Sequence, residues 1–374
     1  MNFDPRPLRF ALLVGVLAAL ALPVASQESP TPQNLVSPIR AEIARLERSL
    51  KDQPISSPDI KNLESMVGDS LKAASDALSA ERTYLALERL GQAEDLLQGA
   101  RVASDKAEVE KGGLAAFESQ WGKVSLRLAA LDKDAHAREW KQAPLAIRAL
   151  AEAAQGRAIP LLEGGRGFAT ATGPKDGLFY VGQAEGEADF ATFCASLKAD
   201  TKAPGFALRS LLPDLRSLQE KTDAAFQPPK SIDLHSRFIA LNSQIKLAEE
   251  LDASRFYAGA LYAYLEAVRH YGMLDAPPLD AAAQEQAKRD LAAAKEKFAN
   301  SSSDDSIAQL FVERAASYTT HVDGSAPSAD EWRGARVILD QVLPAYYAAR
   351  KAAPLLAKNG GKTVDITLVR WPYT

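Results

Sequence analysis

The chain has 374 residues, 47% of them hydrophobic, with a formal charge of −4 at pH 7 and one cysteine. That length can bury a core without covalent staples, and Cys194 alone cannot close an internal disulfide. The mild acidic balance argues against a chain built to neutralise nucleic-acid phosphates or to adsorb on an anionic membrane, since both need a basic face.

The first segment has the build of a secretory signal peptide: Arg6 and Arg9, an uncharged run from Phe10 to Leu22, then Val24-Ala25-Ser26 before Gln27. The greasy run falls short of the roughly 20 residues a spanning helix needs, and Pro23 closes it. Residues 1–26 are therefore expected to be a cleaved leader, which predicts a secreted, periplasmic protein with no membrane span after cleavage. The leader carries a net +1 from Asp4, Arg6 and Arg9, so the remainder lies near −5. Residues 27–33, with Ser29-Pro30-Thr31-Pro32, read as a flexible spacer.

From 34 to 361 the period is helical throughout, with a division near 199–204 left open. Val36, Ile39, Ile43, Leu46 and Leu50 advance by 3, 4, 3 and 4, one seam of a helix. Ile60, Leu63, Val67, Leu71, Ala74 and Leu78 make a second stripe. A third helix is expected near Glu81 to Ala103, and a fourth carries Phe117, Trp121, Val124, Leu128 and Leu131. Pro144 marks a helix start. Further helices are expected over Leu178–Leu197, Leu208–Phe226, Ile232–Leu251, Ser254–Leu274, Asp280–Phe298, Ser306–Tyr318 and Ala329–Ala353. The fold class that follows is all-α: eleven to twelve helices in paired antiparallel hairpins, as an array or a bundle. The last residues, 362–374, break the pattern. Thr363 to Trp371 alternate and are rich in β-branched residues, so an extended tail is expected there.

Phe179-Tyr180-Val181-Gly182 and Phe256-Tyr257-Ala258-Gly259 share Phe, Tyr and Gly. Glycine inside a helix costs roughly 1 kcal/mol relative to alanine, so its recurrence there suggests close helix approach. The rhythm resembles the first helix of tetratricopeptide repeats, but Tyr180 and Tyr257 stand 77 residues apart and the 34-residue period is missing. That family is not assigned.

Candidate chemistry is sparse. Asp132, His136 and Glu139 would share a helix face and could offer oxygen and nitrogen ligands to a metal, but with no second histidine nearby a helix start near Asp134 is the plainer reading, and no metal is assigned. Gly164-Gly165-Arg166-Gly167 lacks the ending of a phosphate-binding loop. Ser301 to Asp305 reads as a loop that caps the next helix. Cys194, in an apolar helical setting, reads as a buried and inert thiol. No serine-nucleophile elbow or zinc helix occurs, and no cofactor is implied.

The feature best suited to binding is an aromatic stripe. Tyr257, Leu261, Tyr264, Val268 and Tyr271 step by 4, 3, 4 and 3, with Phe256 and Tyr262 on the flanks. Helical burial alone would explain it; tyrosine also suits a binding groove. Phe256, Tyr257, Tyr264 and Tyr271 are thus the candidate ligand- or partner-binding residues. The leading expectation is a non-enzymatic helical interaction or scaffold protein for a polypeptide partner in the cell envelope, with no nucleic-acid partner. The alternatives are a small-ligand-binding protein with a pocket between helices, and a metal-dependent envelope hydrolase.

Overall fold

The computed structural model of the chain describes residues 33–53, 55, 61–137, 143–198, 207–229, 231–299, 301 and 303–351. The expected leader, the spacer as far as Pro32, the segment 199–204, Glu139 and the expected extended tail lie outside them. Gln33 does not belong to a spacer: it opens a 3-10 turn, Gln33–Leu35, whose Leu35 is fully buried.

Every regular element among the described residues is helical. In chain order these are α1 (Val36–Asp52), α2 (Lys61–Ser79), α3 (Thr83–Ser104), α4 (Ala107–Ala137), α5 (Leu145–Ala171), α6 (Leu178–Ser196), α7 (Leu212–Ala225), α8 (His235–Ala253), α9 (Tyr257–Asp275), α10 (Ala281–Ala299), α11 (Ser306–Thr319), α12 (Ala329–Val337) and α13 (Leu343–Lys351). A π turn, Ile338–Val342, joins the last two into one rod, directly before Pro344, whose ring would crowd a regular turn. None of these helices is long and apolar enough to cross a membrane. The seam of α1 buries Ile39, Ile43 and Leu46, as its 3–4 spacing predicts.

Two differences from expectation are local. The helix of Asp132 and His136 does not begin near Asp134. The span Ala107–Ala137 is two helical stretches that meet in a kink at Gly113 (φ 60°, ψ −146°), a conformation only glycine takes readily, and Asp132 and His136 lie well inside the second. The second is the Ser301–Asp305 loop, which does more than cap its own helix. Asp304 accepts from the amide of Ser306 (3.1 Å) and also from that of Leu145 at the start of α5 (2.7 Å), while Ser306 Oγ accepts from Ala146 N (2.8 Å).

That cross-capping recurs at two hairpins that are built alike. The hairpins α2–α3 and α8–α9 turn alike: Glu81 and Arg255 take positive φ (58° and 63°), and the next amides, Arg82 N and Phe256 N, close back to Ala77 O and Leu251 O, each at 2.8 Å. Four residues past each positive-φ position, an otherwise orphaned helix-start amide donates to a buried glutamate. Leu85 N donates to Glu313 Oε2 and Gly259 N to Glu152 Oε2, both at 2.8 Å. Glu152 is the eighth residue of α5, and Glu313 the eighth of α11. Each half caps the other: α11 serves α3 while α5 serves α9. The interlock is reciprocal.

Close approach holds the helices to this plan. A Cβ on Gly182 of α6 would lie 2.4 Å from the carbonyl oxygen of Gln98 in α3, and one on Gly259 of α9 would lie 2.7 Å from Glu152 Cβ in α5. Both repeated Tyr-x-Gly positions therefore mark helix crossings. The main core runs continuously from α1 to α13, with a second cluster around Phe117, Leu162 and Val181 where α4 lies on α5 and α6.

Gly182→Ala is expected to destabilise the fold by about 1–3 kcal/mol, since backbone faces backbone and neither can yield. Gly68→Ala, in α2 with nothing within 4 Å of the added methyl, is expected to be neutral or to gain up to about 1 kcal/mol. Urea denaturation of the two variants beside the parent measures both.

Candidate functional site

Where the two halves meet, α3, α5, α6, α8, α9 and α11 line a cavity of about 740 Å³ that is open to solvent on one side. Its size is within the usual range for small-molecule sites. Its lining is unusual for its charge. Helix α3 contributes Glu88, Arg89 and Asp95, α5 contributes Arg157, and α6 contributes Glu187. Helix α9 contributes Tyr262, Glu266, Arg269 and His270, while α11 supplies Arg314 and Tyr318. Leu150, Leu161, Leu247, Phe190 and Tyr180 add apolar wall, and Ser243, Lys246 and Glu250 of α8 lie at the exposed rim.

At the centre stands Arg314, 5% exposed. One terminal nitrogen donates to Glu266 Oε1 and the other to Glu88 Oε1. The Tyr262 hydroxyl donates to that same Glu88 oxygen. Arg269 Nε donates to Glu266 Oε2 at 3.0 Å, and its Nη2 to His270 Nε2 at 3.1 Å. Beside this chain Arg157 grips Glu187 with two bonds, 2.5 and 2.8 Å.

The electrostatics follow from burial and pairing. Burial opposes the charge on Glu266, but Arg314 and Arg269 overcome it and hold the carboxyl at about 2. Burial, followed by the Arg269 charge, pushes His270 down to about 4, so its ring is neutral and accepts from Arg269. Asp95 goes the other way: burial and then the Glu187 charge raise it to about 8. Gln183 Nε2 donates to Asp95 Oδ2 at 3.3 Å, while Oδ1 has no hydrogen-bond partner. Glu88 Oε2 is equally without one. A buried acceptor left unpaired costs about 1–3 kcal/mol. Both oxygens are themselves buried, on residues that line the cavity.

The aromatic candidates lie elsewhere. Phe256 is buried and stacks on His136, ring centroids 4.5 Å apart. Tyr257, Tyr264 and Tyr271 are half-buried, the last two packed against the main core. Burial lifts the Tyr264 hydroxyl to about 12. None of the four lines the cavity; their neighbour Tyr262 does. Asp132 and His136 share a face, 3.7 Å apart and largely exposed, and no group of three or more metal-ligating side chains occurs among the described residues. Gly164 to Gly167 are internal to α5, Gly165 packed beside Gly177. Cys194 is buried, its thiol pushed up by desolvation. No reading of the stripe could have found Glu88, Arg157 or Arg314, whose signal is a charged residue repeatedly set among apolar and small neighbours, as in Leu85-Ala86-Leu87-Glu88 and Leu310-Phe311-Val312-Glu313-Arg314.

No protein-family model matches the chain, and neither a curated protein nor a solved structure is similar to it.

These buried acids give stability a definite pH dependence. Glu313 and Glu94 are raised by burial, to about 8 and about 7, as Asp95 is to about 8. Between the ordinary carboxylate range and those values the native state holds protons that the unfolded chain has released, so stability falls as pH rises from about 5 to 8. Glu266 is depressed to about 2, so its contribution is present above the unfolded value and is lost as pH falls through about 4 toward 2. The melting temperature is therefore expected to peak near pH 5. Glu313→Gln keeps the acceptor for Leu85 N and should flatten the decline toward pH 8, as scanning calorimetry across pH would show.

Proposed function

We propose that the chain is a binding protein for a small polar molecule held in the cavity between its halves. The observation that carries this reading is a cleft of ligand size lined by charged and polar side chains from α3, α5, α6, α9 and α11. A polypeptide-receiving surface rests instead on Phe256, Tyr257, Tyr264 and Tyr271, which are buried or half-buried within the fold and offer less free area to a partner. The Tyr262 hydroxyl lies beside the Glu88 carboxylate, but both are buried and Glu88 is held by Arg314, so the support is for binding rather than catalysis. The leader read in residues 1–26 supports a cell-envelope location for this binding, and a mature chain that begins at Gln27 by mass spectrometry would test it.

A thermal-shift screen of amines, amino acids, sugars, organic acids and nucleotides tests the reading. A ligand at about 100 times its dissociation constant stabilises the native state by about 2.7 kcal/mol, a rise of several degrees. Ser243→Trp, at the exposed rim, is expected to leave the unliganded melting temperature unchanged and abolish the rise. A flat response across the whole screen would overturn the proposal.

A further inference from the structure

We infer that the molecule bound in this cavity is an organic anion, a carboxylate or a phosphate ester, whose charged group is taken by Arg89. The inference rests on the binding reading above and adds the chemical class. Depth separates the charges of the lining. The Glu187 side chain is 4% exposed and that of its partner Arg157 32%; Glu266 is 7% exposed and its partner Arg269 19%. Glu88 and Arg314 are both buried. The acids therefore lie deeper than the bases they hold, and a molecule in the cleft meets guanidinium before carboxylate. Asp95 is half-buried, but burial and then the Glu187 charge raise it to about 8, so near neutral pH it adds little negative charge. At the rim Lys246 and Glu250 answer each other at 3.8 Å.

Arg89 stands apart from these pairs. It is half-buried on the cavity lining, and its guanidinium bonds, among the described residues, to the neutral Gln92 Oε1 at 2.9 Å. A guanidinium carries five donors in a rigid fork, so most of that fork is left for a ligand. The fork matches two oxygens of one carboxylate or phosphate at once. An anion seated there takes no base from a buried acid, whereas one seated on Arg157 or Arg314 would strip a carboxylate of its partner. A cation fares worse, since the carboxylates beneath it are already engaged and the groups above them share its sign. The cavity, at about 740 Å³, has room for an organic body beyond the charged group, and half-buried Leu161 and Tyr180 give that body an apolar wall.

Calorimetric titration at pH 7 with butyrate, butyl phosphate, butylamine, 1-butanol and inorganic phosphate decides the matter. At least one of the two butyl anions is expected to bind at least tenfold more tightly than butylamine or butanol, and to weaken severalfold as salt is raised. Which of the two binds tighter identifies the anion. Arg89→Gln should cost that anion at least tenfold while leaving the unliganded melting temperature unchanged, because the side chain it replaces holds no carboxylate. Preference for butylamine or butanol, sensitive to Ser243→Trp, would overturn the class and leave a ligand-binding cavity standing. Undiminished anion binding by Arg89→Gln would overturn the seat proposed for the charge. Inorganic phosphate bound as tightly as butyl phosphate would overturn the organic body. Silence of all five beside a positive thermal-shift screen would overturn the anion alone; silence of all five with a flat screen would overturn the binding reading itself.

Discussion

Arg314 is the residue on which the rest of the arrangement turns. Its guanidinium joins α3 through Glu88 and α9 through Glu266, while its own helix, α11, caps α3 through Glu313 one residue earlier. A buried arginine is tolerable only if carboxylates surround it, because the desolvation cost of an unpaired charge is several kcal/mol. Burial works against this guanidinium, yet Glu266 and Glu88 hold its proton well above the ordinary arginine range. Two acids against one base leave an excess of acceptors, and Arg269 and Tyr262 take up part of that excess. Glu88 Oε2 is the part left over. The cavity's chemistry is thus a remainder of the fold's own charge balance.

The two matched hairpins explain why the cavity lies where it does. Helix ends carry partial charges, and an acid at a helix start meets a favourable field as well as an unpaired amide. Glu152 and Glu313 occupy the same register of equivalent helices and reach the same register of equivalent hairpins, so the halves are bound by exchanged caps. Exchange brings the starts of α3 and α9 against α11 and α5 two turns in from their own starts. The same four helices carry Glu88, Arg157, Glu266 and Arg314, groups too bulky and too strongly charged to close on one another as aliphatic side chains would. Tight at the caps and open beyond them, the interface encloses space. The glycines at 91, 99, 182 and 186 keep α6 pressed on α3, so that wall is rigid.

How much of this was legible in the residues depended on the range of the interaction. Helices are local, and their stripes placed nearly every element within a few residues: Pro144 stands at the start of α5 and Ser306 begins α11, as the spacing predicted. Close approach was also legible, because Gly182 and Gly259 lie inside otherwise strong helices where glycine has no local benefit. The likeness of the two hairpins was not. The shared Phe-Tyr and Gly pair α6 with α9, whereas the structural equivalence pairs α3 with α9, where Leu85 answers to Gly259 and Glu88 to Tyr262. Equivalent positions kept their backbone roles and changed their side chains, and sequence comparison sees only side chains. The cavity was hidden for a related reason: the ion pairs that bridge its helices link residues 30 to 226 positions apart, and no periodicity records a contact of that kind.

The same logic separates the two uses of tyrosine on α9. Tyr264 and Tyr271 lie on the face that periodicity selects, and the fold takes most of that face into its core. Tyr262 lies off the stripe, is buried with its hydroxyl donating to Glu88, and sits in the cavity wall. An apolar stripe reports where a helix meets its own chain. A recognition group has to break that pattern, since it must place a polar atom where burial would otherwise favour carbon. In a helical protein of this build, the informative residues are therefore the acids and bases interrupting buried faces: Glu88 in α3, Arg157 in α5, Glu266 in α9 and Arg314 in α11. They converge on one cavity, and convergence from four separate helices is hard to account for by packing alone.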